Sequence, residues 1–283
     1  MIRKKHGALL ITPLGLLLGG FFLAPIFMLL PTSFREYIPG SGFRPHFWTF
    51  DNYLRIFADD YYREVIWRTL ELGLCVTFIC LVLGYPLAYV IVRGASRWRI
   101  TLTMLVVFPM LLNLVVRSFG WIALLANRGL INTMLQQLGA ITTPVKLMYN
   151  MTGIMIGLVH IYLPFMVLML VAAIRNVPRD VEAAAATLGS SRMHVFWAVT
   201  LPLSAPGILA GSILVFVLTI SALVTPRMLG GPTYKVMATV IYDEYMQLLD
   251  WASGSALAFT LTIIAIGIIA FSSRLTQRWV GAA

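Results

Sequence analysis

The sequence predicts an all-α polytopic membrane protein, a bundle of six transmembrane helices, on three observations. Hydrophobic residues make up 59% of the 283-residue chain and charged residues only 11%, outside the usual range of a water-soluble domain. Residues 8–30, 72–92, 100–116, 152–174, 205–225 and 251–271 carry no charged side chain, and each falls within the roughly 17 to 25 residues a helix needs to cross a bilayer. The basic residues gather in alternate connectors, the pattern that orients a multi-pass chain.

Each apolar stretch must be helical, because an unpaired backbone amide in hydrocarbon has no water to turn to, and none shows the period-two alternation of a barrel strand. The first follows Arg3, Lys4 and Lys5, as a signal peptide would, but it exceeds the length of a signal core and reads as an uncleaved helix. One side of a six-span chain holds those residues with Arg93, Arg97, Arg99, Arg175, Arg179, Arg192, Arg274 and Arg278, against only Asp180 and Glu182. The other side is nearly balanced, for instance Arg35, Arg44, Arg55, Arg63 and Arg68 against Glu36, Asp51, Asp59, Asp60, Glu64 and Glu71. Basic residues stay in the cytoplasm, so both termini are expected there, with 31–68 outside and 175–206 inside.

Within the spans, Gly15-xxx-Gly19, Gly153-xxx-Gly157 and Gly207-xxx-Gly211 place small residues on one helix face, where they let backbones approach. Pro13, Pro25, Pro86, Pro109 and Pro164 are expected to kink their helices. Residues 31–68 form a long outer segment rich in aromatics, including Phe34, Trp48, Phe50, Tyr53, Tyr62 and Trp67, suited either to the headgroup layer or to docking a partner. Residues 132–138 and 234–249 read as short amphipathic helices across the outer mouth. No internal repeat is evident.

Several function classes fall away. A net charge of +10 does not mark a nucleic-acid surface, because the basic residues sit in short runs between apolar spans. Cys75 and Cys80 share one span without redox or metal-ligand spacing, and His160 has no second ligand nearby, so no metal site is expected. Enzyme chemistry would need a catalytic pair within the spans, and none is visible. A secondary transporter or channel would be expected to hold ionisable groups inside its spans, which these essentially lack.

The inner segment 175–206 is too polar to cross the bilayer yet carries clear structure signals. Pro178 suits the start of a helix, Asp180 and Glu182 favour its positive end, Ala183 to Ala186 are strong formers, and Gly189 is a natural stop. Ser190 or Ser191 can cap a second helix through Arg192 to Val199, which Pro202 is expected to end. Low side-chain bulk at Ala183 and Ala184, with Leu188, Arg192 and Met193 nearby, suits a knob that another protein grips. An amphipathic helix resting on the membrane, held by Phe196 and Trp197, fits the periodicity equally well.

Ala183-Ala184-Ala185, Gly189 and Val199-Thr200-Leu201-Pro202 resemble the EAA loop of binding-protein-dependent ABC transporter permeases. In that family a glutamate stands six residues before the glycine. Here Ala183 takes that position and Glu182 precedes it, so either Glu182 makes the family's contact from a rotated position or the contact is absent. The likeness extends through Asp51-Asn52-Tyr53, Gly84-Tyr85-Pro86-Leu87-Ala88-Tyr89, Asn127-Arg128-Gly129-Leu130-Ile131-Asn132, Tyr162-Leu163-Pro164-Phe165-Met166 and Leu229-Gly230-Gly231-Pro232, and is similar to the polyamine subgroup, importers of spermidine and putrescine.

The resemblance implies a type I ABC importer permease in a bacterial inner membrane. It pairs with a second homologous permease, two cytoplasmic ATPase subunits and a periplasmic solute-binding protein. Glu182, Ala183, Ala184, Leu188, Gly189, Arg192, Met193 and Pro202 would then couple to the ATPase. No GxxxxGK[ST] phosphate loop is present, so ATP and magnesium are expected in the partner subunits and no cofactor on this chain. For a polyamine pathway the candidates are Glu71, Tyr242, Asp243, Glu244 and Tyr245, with Asp250 and Trp251 beside them, and Asn113 and Thr219 deeper, although each also fits a solvated span end or a helix–helix hydrogen bond. Arg117 fits an interfacial anchor or a barrier to cations. Permeases of the same family for an amino-acid derivative, an opine, a phosphonate or ferric ion share much of this pattern, and a stand-alone secondary transporter is the remoter alternative.

Overall fold

The computed structural model of the protein describes residues 13, 15, 17–38 and 42–280. A π-helical turn at Gly19–Leu23 leads into α1 (Ala24–Ser33), a hairpin of β1 (Arg35–Ile38) and β2 (Gly42–Trp48), α2 (Asp51–Ala58) and α3 (Asp60–Arg93). Next come α4 (Ser96–Val107), a 3-10 turn at Phe108–Leu111, α5 (Leu114–Leu125), α6 (Leu130–Gln137) and α7 (Met151–Arg175). Then α8 (Arg179–Thr187) and α9 (Arg192–Val195) precede a π-helical segment at Phe196–Thr200 and α10 (Leu201–Leu203). The chain closes with α11 (Ala205–Ile220), α12 (Val224–Gly230), α13 (Met237–Met246) and α14 (Trp251–Val280).

Among the described residues four helical stretches are long and apolar enough to cross a membrane, Asp60–Arg93, Leu114–Gln137, Met151–Arg175 and Trp251–Arg274. A fifth arises if Arg192–Leu203 and Ala205–Ile220, bent by 63°, count as one. The expected first span falls largely on residues outside the described set. The stretch 100–116, expected as one helix, is broken. Pro109 opens the 3-10 turn, Leu112 is extended at ψ 141°, and Asn113 caps a new helix by accepting from Val115 N at 2.8 Å. Proline ends the donor ladder and asparagine restarts it.

The chain forms two compact units, Met1–Glu64 with Val240–Ile263 and Val65–Thr239 with Ile264–Ala283. The first departs from the all-α expectation in its antiparallel hairpin, which pairs Arg35 with Trp48, Tyr37 with Phe43 and Ile38 with Gly42. Its strands are rich in aromatic residues and flank Pro39-Gly40-Ser41-Gly42, a strand–turn–strand signal that hydropathy over the whole segment hides. Ser33 and Tyr53 share a hydrogen bond at 2.8 Å, and Asn52 donates to the carbonyls of Ser33 and Arg35, so the aromatic segment is folded against α1 and α2.

The core of the larger unit runs along α7, where Ile154, Leu158, Met166, Leu170 and Ile174 are almost wholly buried. Two of the expected glycine pairs contribute to its packing. A Cβ on Gly211 would lie 3.0 Å from Met166 Sδ and 3.2 Å from Met169 Cβ, and one on Gly207 would strike the Ala173 methyl, so α11 seats on α7 through bare backbone. At Gly157 the same atom would meet Leu229 Cδ1 at 2.6 Å, drawing α12 close. Gly153 instead clears the Leu147 carbonyl before α7 begins, and no described atom lies within 4 Å of a Cβ on Gly15 or Gly19.

Candidate functional site

The segment between α7 and α11 folds as helix, glycine, helix. Pro178 is extended just before α8, and Asp180 and Glu182 occupy its first turn, where carboxylates meet the positive end of the helix dipole. α8 ends at Gly189, which sits at φ +87°, with Ser190 N donating to Ala185 O at 3.2 Å and Gly189 N to Ala186 O at 3.0 Å. That pair of bonds is the Schellman arrangement, and its left-handed residue favours glycine. Ser191 then accepts from His194 N at 3.3 Å to start α9.

Pro202 does not end the second helix. The chain widens into a π-turn at Phe196–Thr200, in which Leu201 N donates to Phe196 O, and continues through α10. A wider turn moves carbonyls away from the position the proline ring would strike, so helical winding survives the missing donor. The bend to α11 follows immediately.

Neither α8 nor α9 has a buried residue. Ala183, Ala184 and Arg192 are exposed, and Leu188 (87%) and Met193 (67%) present apolar side chains outward. A groove of about 840 Å³ separates this loop from the end of α3, with Tyr89, Arg93, Arg179, Ala183, Ala186 and Met193 in its walls. Apolar packing therefore does little to hold the loop.

Polar and aromatic ties hold it instead. Arg93, the last residue of α3, places NH2 3.0 Å and Nε 3.3 Å from Glu182 Oε1, and NH2 also donates to Val177 O at 2.9 Å. Thr200, wholly buried, donates its hydroxyl to the same Oε1 at 2.8 Å. Arg179 and Arg99 donate to the carbonyls of Val92 and Ile91, which the end of α3 leaves without helical partners. Phe196 stands edge-on to both Tyr85 and Tyr89, and the Tyr85 hydroxyl meets Ser204 Oγ at 2.8 Å. Sequence reasoning missed Arg93, Thr200, Tyr85 and Ser204. The i, i+4 spacing of Tyr85 and Tyr89 and the arginine closing a span were the available signals.

The proposed pathway residues are not gathered by the described contacts. Glu71 is exposed. Asn113 is the helix cap described above, and buried Thr219 returns its hydroxyl to Val215 O at 2.7 Å, so neither bonds across helices. His160 accepts from Trp121 Nε1 at 3.2 Å, in keeping with a packed neutral histidine, and no cluster of metal-binding side chains exists among the described residues. Arg117 is different, because its buried Nε and NH1 have no hydrogen-bond partner among the described residues.

Tyr242, Asp243, Glu244 and Tyr245 lie on α13. Tyr245 bonds Ser255 Oγ at 2.8 Å, and Glu244, 5% exposed, accepts from the Tyr62 hydroxyl at 3.0 Å. Arg55 lies beside it, donating to Ser253 Oγ at 2.9 Å and standing 4.0 Å from Asp250. Burial pushes the Glu244 carboxyl above its ordinary value, and Asp250 adds to the rise, while the Tyr62 hydrogen bond and Arg55 oppose it. The folded state thus favours the protonated acid. Its stabilising contribution is complete below the unfolded pKa near 4.5 and fades as pH climbs through the raised folded value. Glu244→Gln, which keeps an acceptor for Tyr62, is expected to flatten this part of the profile, and thermal unfolding in detergent across the acidic range measures it.

The family model for the binding-protein-dependent transport system inner membrane component matches residues 80–277. The spermidine/putrescine transport system permease protein PotB of Salmonella typhimurium (strain SL1344) is 34% identical over 261 residues, 92% of this chain and 90% of that protein. PotB of Escherichia coli (strain K12) is 34% identical over 86% of this chain and 88% of its own length. The molybdenum transport system permease protein ModB of Mycobacterium bovis is 29% identical over 68% of this chain and 72% of its own. Among solved structures, a bacterial ABC transporter that imports the acidic polysaccharide alginate superposes with a TM-score of 0.75 at 18% identity, covering 98% of this chain and 96% of that one. An inward-facing MetNI methionine ABC transporter gives 0.60 at 15% identity, over 76% of this chain and 94% of that one.

Proposed function

The chain belongs to the family of binding-protein-dependent transport system inner membrane components and is a permease component of an ABC importer, and from that premise we propose that its solute is a polyamine such as spermidine or putrescine. The observation that carries the proposal is identity to the PotB proteins along nearly the whole length of both chains. In this reading six spans of type I architecture, both termini cytoplasmic in a bacterial inner membrane, form half of the pathway. A second homologous permease forms the other half, a periplasmic binding protein delivers the solute, and two ATPase subunits bind the ATP and magnesium. The loop from Arg175 to Pro206 is the coupling segment, and Leu188, Gly189, Arg192 and Met193 at its tip are the groups the ATPase meets. A rigid short helix ending in an exposed apolar tip suits transmission of an ATP-driven closure, because force passes through it without the helix bending.

One observation favours a second reading. Two unpartnered guanidinium N–H groups on Arg117 suit a carboxylate or oxyanion better than a polyamine. Both readings meet the same experiment, uptake of radiolabelled spermidine by proteoliposomes containing the whole transporter. Saturable uptake that requires ATP and the binding protein, and that excess putrescine suppresses while molybdate does not, is the expected result. Suppression by oxyanions alone overturns the polyamine assignment, and uptake that continues without ATP points to a secondary carrier.

A further inference from the structure

We propose that the Arg93–Glu182 pair, clamped by Thr200, is an internal strut that makes the coupling loop and the last turns of α3 move as one body. Glu182 is then a positioning residue that acts through Arg93 and not a group that reaches out to another subunit. The inference rests on the reading of 175–206 as the coupling segment.

Three segments meet at one oxygen. Glu182 Oε1 receives both Arg93 contacts and the Thr200 hydroxyl, and the two charged side chains are only 11% and 17% exposed. Hydrogen bonds between charged groups in such partial shelter are stronger than neutral ones, and removing one partner leaves the other charge stranded. The carboxylate is thus committed to its own chain.

The weight on this pair follows from what surrounds it. Helices as short as α8 and α9 are marginal by themselves and depend on tertiary contacts for a fixed position. Here the groove takes the place of apolar packing between loop and span. On the α8 side of Gly189 the ties to α3 are the Arg93 pair and the weaker 3.4 Å bond from Arg179 to Val92 O. On the far side Phe196 and Ser204 tie the second limb to Tyr85 and Tyr89. Thr200 belongs to that second limb yet bonds Glu182 in the first, so the strut also sets the angle across Gly189. Motion imposed at Leu188 is passed to α3 at its end, with no slack at the hinge.

A double-mutant cycle in the reconstituted transporter tests this, reading solute imported per ATP hydrolysed. Glu182→Ala and Arg93→Ala are each expected to lower that ratio about tenfold. The double variant falls no further than the worse single one. Arg93→Lys, which keeps the charge and one donor, retains most of the ratio and guards against a variant that merely fails to fold. Losses that multiply in the double variant overturn the strut, as does a wild-type ratio in either single variant or loss of the ATPase from the complex with Glu182→Ala alone. Leu188→Cys and Met193→Cys, tested for cross-linking to the ATPase in the otherwise unaltered chain, separate the two levels. A cross-link with no effect in the cycle removes the strut alone, whereas no cross-link at either position removes the coupling reading with it.

Discussion

Gly189→Glu is expected to cut ATP-driven uptake by the assembled transporter at least about tenfold while the chain still inserts and folds. No atom lies within 4 Å of a Cβ built on this glycine, so the new side chain strikes nothing in the chain. The penalty comes from the backbone. A left-handed φ of +87° costs a residue with a Cβ roughly 1–2 kcal/mol, too little to unfold a bundle and enough to shift the turn. Relaxation of Gly189 pulls Ser190 N from Ala185 O and re-aims Leu188 and Met193, the exposed ends of the two limbs. The carboxylate also places charge on an apolar tip. Gly189→Asn, which tolerates the left-handed region, should keep most activity. Uptake and solute-stimulated ATP hydrolysis in proteoliposomes measure both, and unchanged values for the glutamate variant would sink the assignment of the loop.

Gly207→Leu is expected to damage the fold itself. A Cβ at Gly207 collides with the Ala173 methyl, and alanine has no flexible side chain to swing aside, so either α11 or α7 must move as a whole. Overpacking of a tight core costs about 1–3 kcal/mol when side chains can adjust, and this site should exceed the upper figure because backbone must yield. Gly120→Ala is the control. Nothing lies within 4 Å of its added methyl, and removing a helical glycine gains about 0.5–1 kcal/mol. Thermal unfolding of the purified chain in mild detergent should show a large drop for the first and none for the second. Equal melting temperatures would mean that α7 and α11 do not rely on this approach.

These expectations differ in how far they were legible in the residues. Gly207 and Gly211 stood out as a small-residue pair, and Gly189 as a helix stop, because each signal lies within a few residues of chain. The hairpin at β1 and β2 was not legible, since its aromatic strands share the composition of a membrane-interface segment and its pairing joins residues on either side of a turn. Asn113 and Thr219 were visible as polar groups in apolar surroundings. Their hydrogen bonds go to nearby backbone atoms, which composition cannot distinguish from a bond across helices.

By itself the sequence determined the membrane class, the position of the apolar stretches and the helix–glycine–helix form of the inner loop. Those properties are sums over contiguous residues or depend on caps one to three positions away. Only the tertiary structure decided where the third stretch breaks and which way Glu182 turns. The partner of that carboxylate, Arg93, stands 89 positions earlier in the chain. Its choice between an internal arginine and an outside subunit rests on how α3, α8 and the turn at Thr200 converge, and no local pattern encodes that convergence.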